Sequence, residues 1–315
     1  MADNWRILDF TTFHGELRFV TKSSRLQSIA SATGEITEHS LSDVNIIFVG
    51  IYVTLAPAVM YHCAKKDVVV LFCDWKGLPA CSLYPWIDAH GRVAARQRAQ
   101  AALSAPRSKN AWMRIVKAKV KGQAETLKYL NRPSASKLFE LAGKVRSGDP
   151  TNVEAHAART YWSVLFGDEC FSRDPGAKDM GRNSLLDYGY TILRGHSMRA
   201  VLSAGLTPAL GLYHKGRSNL FALADDLIEP FRPVVDLAVA RLGTDATVES
   251  REVKRILLQS TLVAFANDGL TVPSVMTDLA QQFGKYVEGE VEHFVVPIWD
   301  PKFSGEETQN EYGEV

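Results

Sequence analysis

The chain has 315 residues, 46% hydrophobic and 23% charged, and its 36 Lys and Arg against 35 Asp and Glu leave a formal net charge of +1. That length exceeds a typical single domain and the composition is ordinary for a soluble globular protein, so two domains are predicted. The four cysteines form no C-x-x-C pair, which argues against structural zinc and for a reducing compartment. MADNWRILDF has no basic n-region and no run of about eighteen apolar residues occurs, so neither a secretory signal nor a membrane span is predicted and a cytoplasmic location is expected.

In chain order, WRILDF, GELRFVT, VNIIFVG and KDVVVLFCDW are short runs rich in Val, Ile and Phe, and His14-Gly15, Thr33-Gly34-Glu35 and Trp75-Lys76-Gly77 supply turns. They predict strands. TLAPAVMYHCAKK predicts a short helix before a buried strand. Leu78 to Arg92, with Pro79, Pro85 and Gly91, is a composition break. Beyond it, helical periodicity covers Ala94–Leu103, Ala111–Tyr129, Ser134–Lys144, Asn152–Phe166, Ser184–Ala204, Phe221–Leu242 and Ser250–Phe265. The expected fold class is α+β: a small N-terminal β-rich domain over residues 1–88, a linker and helix start over 89–110, a larger all-α domain over 111–305, and an acidic tail over 306–315. No internal repeat of solenoid period is found.

Charge is unevenly placed. From Arg92 to Arg132 there are eleven Lys or Arg residues against the single acid Glu125, whereas the tail after Gly305 carries four glutamates and no base. Such a segment suits DNA phosphates and would make binding salt-dependent, with a solvated helix as the plain alternative. Trp112 lies inside it and is weighed equally as a base-stacking platform and as core. Trp162 and Tyr161 read as core.

The richest stretch is Gly205 to Asp236, which gathers His214, several carboxylates and flanking arginines. His214 and Glu229 offer an imidazole nitrogen and a carboxylate, and Glu154 in NVEAHAARTYWSVLFG supplies a third hard ligand. One His with two carboxylates suits Mg²⁺ or Mn²⁺ and not structural zinc. Leu223, Leu227, Phe231, Val234, Ala238 and Leu242 form an apolar stripe beside a polar one of Asp225, Glu229, Arg232 and Asp236. A surface helix would show the same stripes, but Pro230 predicts a kink or a new helix start beside Glu229. His156, two residues from Glu154, falls on another face. His196 and Arg199, following Tyr188 and Tyr190, either line DNA or pack in the core. Neither G-x-x-x-x-G-K-[ST] nor G-x-G-x-x-G occurs around Gly211 and Gly216, which disfavours a nucleotide triphosphatase.

The spacing H-x₁₄-E ending in DDLIEPFRPVVD, preceded by EAHAARTYW-x-x-LFG and NSLLDYGYTILRG, resembles the CRISPR-associated adaptation integrase, the larger subunit of the spacer-acquisition complex. The resemblance is close from about Asn152 to Asp236 and is nearest to the form accompanying single-protein effector nucleases (type II). It implies an all-α catalytic domain in which Glu154, His214 and Glu229 are both catalytic and metal-binding, with Asp225 or Asp226 as substitutes for the last ligand. Thr207 and Asp187 depart from the usual Asn or Asp and Asn. It further implies a homodimer whose β-domains pair, bridged by a small ferredoxin-like adaptation subunit.

The expected function is therefore metal-dependent DNA strand transfer, as an integrase or endonuclease. The 3′ hydroxyl of a captured double-stranded fragment would attack a phosphodiester at the leader end of a repeat array. Arg182, Lys215, Arg217 and Arg232 are candidate phosphate contacts. Two other classes keep part of the pattern: a general metal-dependent nuclease or phosphodiesterase, using water as nucleophile, and a non-catalytic DNA-binding scaffold, needing only the basic segment.

Overall fold

A computed structural model of the chain describes residues 6–66, 68–75, 77, 79–83, 91–167, 171–176, 181–214, 216 and 218–305. Two compact units divide it, Met1–Gly91 and Arg92–Val315. The class is α+β, as expected, with strands first and helices after.

The first unit holds β1 (Arg6–Phe10), β2 (Gly15–Val20), β3 (Arg25–Ala30), β4 (Ile36–Ser40), β5 (Val44–Val49), β6 (Val53–Leu55), α1 (Pro57–Lys65), β7 (Val69–Cys73) and β8 (Pro79–Leu83). Two four-stranded sheets result, ordered β1-β5-β7-β8 and β4-β3-β2-β6. β1, β5 and β7 run parallel. β5 is buried along nearly its whole length, which is why VNIIFV reads as a continuous apolar run. Leu8, Phe10, Leu17, Leu26, Ile47, Val59, Cys63 and Val70 share one core, where burial pushes the Cys63 thiol up to about 12.

Four strands were not expected: β3, β4, β6 and β8. β4 lies at a sheet edge with every residue exposed or half-buried, so it lacks the period-two apolar pattern that marks a half-buried strand. β8 falls inside the stretch read as a composition break. It pairs antiparallel with β7 and begins at Pro79, where a missing N–H is tolerated.

The second unit is helical: α2 (Val93–Ala101), α3 (Ala105–Tyr129), α4 (Ala135–Lys144), α5 (Val153–Leu165), α6 (Arg182–Ser203), α7 (Ala222–Leu227), α8 (Arg232–Arg241), α9 (Arg251–Ser260) and α10 (Val272–Glu288). α6 is buried on almost every side. Gly189 lets it approach α8, because a Cβ there would stand 2.4 Å from Val235 Cγ1. The predicted helix over 221–242 is broken as Pro230 required. α7 gives way to a 3₁₀ turn, Glu229–Phe231, and then to α8. The helix over 250–265 ends earlier, at Ser260. α10 was not expected; Pro273 sits in its first turn, where proline fits. Among the described residues no helix is long and apolar enough to cross a membrane.

Candidate active site

Glu154 stands in the first turn of α5. Asp149 fixes that turn from outside, accepting from the backbone N–H of Val153 and of Glu154, each at 2.9 Å. This satisfies two of the N–H groups that a helix start leaves open. Glu229 opens the 3₁₀ turn between α7 and α8 and is buried. Pro230 donates no bond there, and Phe231 N–H closes the turn on the Ile228 carbonyl at 2.8 Å.

Both carboxylates meet one ammonium. Lys119 Nζ, from the middle of α3, lies 2.7 Å from Glu154 Oε1 and 2.6 Å from Glu229 Oε2. On its other oxygen, Glu229 accepts from Arg232 Nε at 2.8 Å. Burial acts to raise the Glu229 carboxyl, but Arg232 and Lys119 outweigh it and bring it down to about 2. Burial likewise acts to lower Lys119, and Glu229 and Glu154 more than reverse that, so it is held above the ordinary lysine value. The contact at Glu229 Oε2 is an ion pair whose direction falls outside hydrogen-bond geometry.

Behind this pair lies a second buried carboxylate. Asp236, on α8, accepts from Tyr161 Oη of α5 at 3.0 Å and from Tyr190 Oη of α6. Burial pushes its carboxyl up to about 7 against those two hydrogen bonds. The Tyr190 ring faces the Arg232 guanidinium at 4.3 Å. Glu229, Arg232, Tyr190, Asp236 and Tyr161 thus form one connected network.

His214 is placed by its loop. Asp226, fully buried in α7, accepts from the backbone N–H of Leu212 at 2.5 Å and Tyr213 at 3.0 Å, and from His214 Nδ1 at 2.6 Å. With Nδ1 donating to a carboxylate, Nε2 keeps the lone pair of the neutral ring. That hydrogen bond raises the imidazole above its ordinary value; burial opposes it, while the charges of Asp226, Glu229 and Asp225 add to it. Gly211 is required here, since a Cβ would meet the His214 carbonyl at 2.6 Å and Asp226 Oδ2 at 2.8 Å. Beside the histidine, the Tyr213 ring stacks on buried Trp112 with centroids 4.5 Å apart.

Of the predicted ligands, Glu154 and Glu229 are brought together on Lys119, and His214 is oriented by Asp226. Asp226 serves the loop, and Asp225 pairs with Arg194 at 2.7 Å and accepts from Asn219 at 3.0 Å. Neither substitute joins the carboxylate pair. Among the described residues no three His, Cys, Asp or Glu side chains are gathered as a metal site. The donors nonetheless fit a hard divalent cation: two carboxylates already share one cationic partner, and Glu229 Oε2 has no well-directed hydrogen bond.

The other candidates separate. His156 is exposed on α5. His196 is core, 3.3 Å from Thr261 Oγ1, and burial takes its imidazole down to about 3. Tyr188 and Trp112 are buried, so Trp112 is a support for Tyr213 rather than a base platform. Trp162 is half-buried against Tyr161 and Phe166. Asp187 pairs with Arg173, the Thr207 backbone N–H donates to Gln100 Oε1 and its carbonyl accepts from Gln100 Nε2, and the Arg182 guanidinium lies 4.3 Å from the Phe166 ring. Lys215, Arg217, Cys170 and the acidic tail lie outside the described residues.

The basic segment proves divided. Arg96 is buried on Glu288 at 2.9 Å, Arg92 joins the same carboxylate, and Arg107 donates to the Tyr286 carbonyl. These arginines fasten α10. Lys119 is the residue that sequence reasoning misplaced. Its signal was present, because Trp112, Ile115, Val116, Gln123 and Thr126 recur around it at three and four and are all buried, which puts a lysine inside a core stripe.

Residues 14–262 match the family model described as CRISPR associated protein Cas1. The CRISPR-associated endonuclease Cas1 of Neisseria meningitidis serogroup C (strain 8013) is 36% identical over 220 residues, covering 69% of this chain and 71% of that one. Among solved structures, a casposase bound to integration product superposes with a TM-score of 0.75 at 22% identity, covering 100% of this chain and 96% of that chain. A Cas6-RT-Cas1–Cas2 complex gives 0.71 at 18% identity over 94% of this chain and 36% of that chain. At these identities the structural likeness concerns the fold.

Proposed function

The chain belongs to the Cas1 family of CRISPR-associated proteins, and from that premise we propose that it is a metal-dependent DNA integrase and endonuclease. It joins the 3′ hydroxyl of a short DNA fragment to a phosphodiester of a repeat array. The observation that carries this reading is the convergence of Glu154 and Glu229, from separate helices, on one cationic position, Lys119.

Glu154, Glu229 and His214 through Nε2 would hold Mg²⁺ or Mn²⁺, which when bound offsets charge on a phosphate oxygen. The chain's own groups prepare that site. Arg232 keeps Glu229 ionised, Asp149 fixes the turn that carries Glu154, and Asp226 sets the tautomer and direction of His214. Double-stranded DNA is the proposed substrate, on the strength of the relative described as an endonuclease and the neighbour bound to integration product. A small ferredoxin-like adaptation subunit and a homodimer paired through the β-unit complete the proposal; the neighbour in complex with Cas2 supports the first.

The test is joining of a 3′-hydroxyl fragment to a supercoiled plasmid carrying a leader and repeat, with Mn²⁺ and the small subunit. The wild type should join fragments, and Glu154→Gln, His214→Asn and Glu229→Gln should each abolish joining while duplex binding persists. Degradation without joining would favour the plain nuclease. Duplex binding with neither joining nor degradation, unchanged by a chelator, would leave only a scaffold.

A further inference from the structure

We propose that Lys119 is the resident counter-ion of the cation position and must leave it when a divalent cation binds; this rests on the metal reading above. The ammonium is not a bystander on a solvated face. Its side chain is 13% exposed, and it touches an oxygen of both carboxylates at 2.7 and 2.6 Å. Glu154 and Glu229 therefore carry two negative charges against the two positive charges of Lys119 and Arg232, and this largely covered cluster is neutral as it stands.

Adding a divalent ion changes that balance. Mg²⁺ binds oxygen at about 2.1 Å, so an ion on Glu229 Oε2 would lie within about 5 Å of Nζ even on the far side of that oxygen. A doubly charged ion and an ammonium at that separation repel strongly in a site largely closed to water. Arg232 cannot yield instead, because it holds the other oxygen of Glu229 and lies against the Tyr190 ring. Lys119 is unbranched, and its stem runs from α3 with its head on the two acids alone among the acids of the described residues. It is the group free to move. In the metal-free chain it keeps buried Glu229 and half-buried Glu154 from repelling each other, and the cation takes over that duty when it arrives.

The test is Mn²⁺ titration of the full, metal-free chain without DNA, followed by the electron paramagnetic resonance signal of free Mn²⁺. Lys119→Met removes the competitor and should bind Mn²⁺ about tenfold or more tightly than wild type, and its melting temperature should rise further with Mn²⁺ than that of wild type. Equal or weaker binding by Lys119→Met would overturn the proposal and make Lys119 a partner of the metal rather than its rival. Should the variant not fold without metal, the wild type decides. Reductive methylation read by mass spectrometry should spare Lys119 in the metal-free chain and label it once Mn²⁺ is added. Protection unchanged by Mn²⁺ overturns the proposal. Wild type that binds no Mn²⁺ at all overturns the metal reading itself, which separates that failure from a failure of the Lys119 inference.

Discussion

Glu229 faces cations and Asp236 faces phenols, although both carboxylates are buried and they stand only seven positions apart. Glu229 is held down at about 2 by Arg232 and Lys119, against burial, and Asp236 is pushed up to about 7 by burial, which outweighs two tyrosine hydroxyls and the more weakly felt charges of Arg232 and Lys119. The first is a permanent charge in contact with an ammonium that another cation can replace. The second is a near-neutral staple joining α5, α6 and α8, the elements that carry or flank both site carboxylates. Similar burial thus supports two roles, and the neighbours decide which.

The largest expected effect breaks the charged region. Glu229→Ala leaves half-buried Arg232 without its carboxylate and Lys119 with one acid in place of two. Removing one partner of a buried pair costs about 3–5 kcal/mol. Urea unfolding at neutral pH should show it, and a loss under 1 kcal/mol would mean that the cluster is wetter than its burial implies.

A smaller effect, read against pH, tests the neutral region. Asp236 is raised to about 7 when folded, whereas an unfolded Asp titrates near 4, so between those values the folded chain binds the extra proton. Stability from this group is therefore full at low pH and falls as pH rises from about 4 to about 7, by at most about 4 kcal/mol. Asp236→Asn should flatten that slope. A slope unchanged in the variant would assign it to another group. Glu229 works with the opposite sign, losing its contribution as pH falls from the ordinary Glu range toward 2.

Tyr161→Phe and Tyr190→Phe come next, each removing one donor to Asp236 for about 1–3 kcal/mol. Tyr190→Phe keeps the ring against Arg232, so it should lower stability without altering Mn²⁺ affinity. A change in affinity would join the two regions into one functional unit.

The comparison also shows what a sequence can carry. β1, β2, β5 and β7 were legible because each buries alternating or continuous Val, Ile, Leu or Phe, and the edge strand β4 was not, because ITEHS buries nothing fully. Pro230 announced the break beside Glu229. His214 and Glu229 stood out by residue type, but no spacing places Glu154 beside Glu229; that needs α5 and the 3₁₀ turn both packed near α3. Asp236 was read on a polar stripe with Asp225 and Glu229. Its burial follows from α8 lying inside the bundle, which helical periodicity cannot report. Lys119 was hidden by its company, as one of eleven basic residues read together as either a phosphate-binding segment or a solvated helix.

The smallest effect concerns the lysines that are not in the pair. Lys117 and Lys121 are four apart on α3 and share a face with Arg114, Glu125 and Lys128, while Lys119, two residues from each, points the other way into the carboxylates. Lys117 and Lys121 are half-buried, which leaves their ammonium ends able to reach water or phosphate. Reversing both to Glu should therefore leave urea stability within about 0.5 kcal/mol and leave Mn²⁺ affinity unchanged. It should weaken duplex binding and reduce the slope of log affinity against log salt by about 0.9 for each phosphate no longer neutralised, about 1.8 for the pair. An unchanged slope would assign this face to solvent and leave the charge of α3 with two tasks, the fastening of α10 by Arg107 and the carboxylate pair at Lys119.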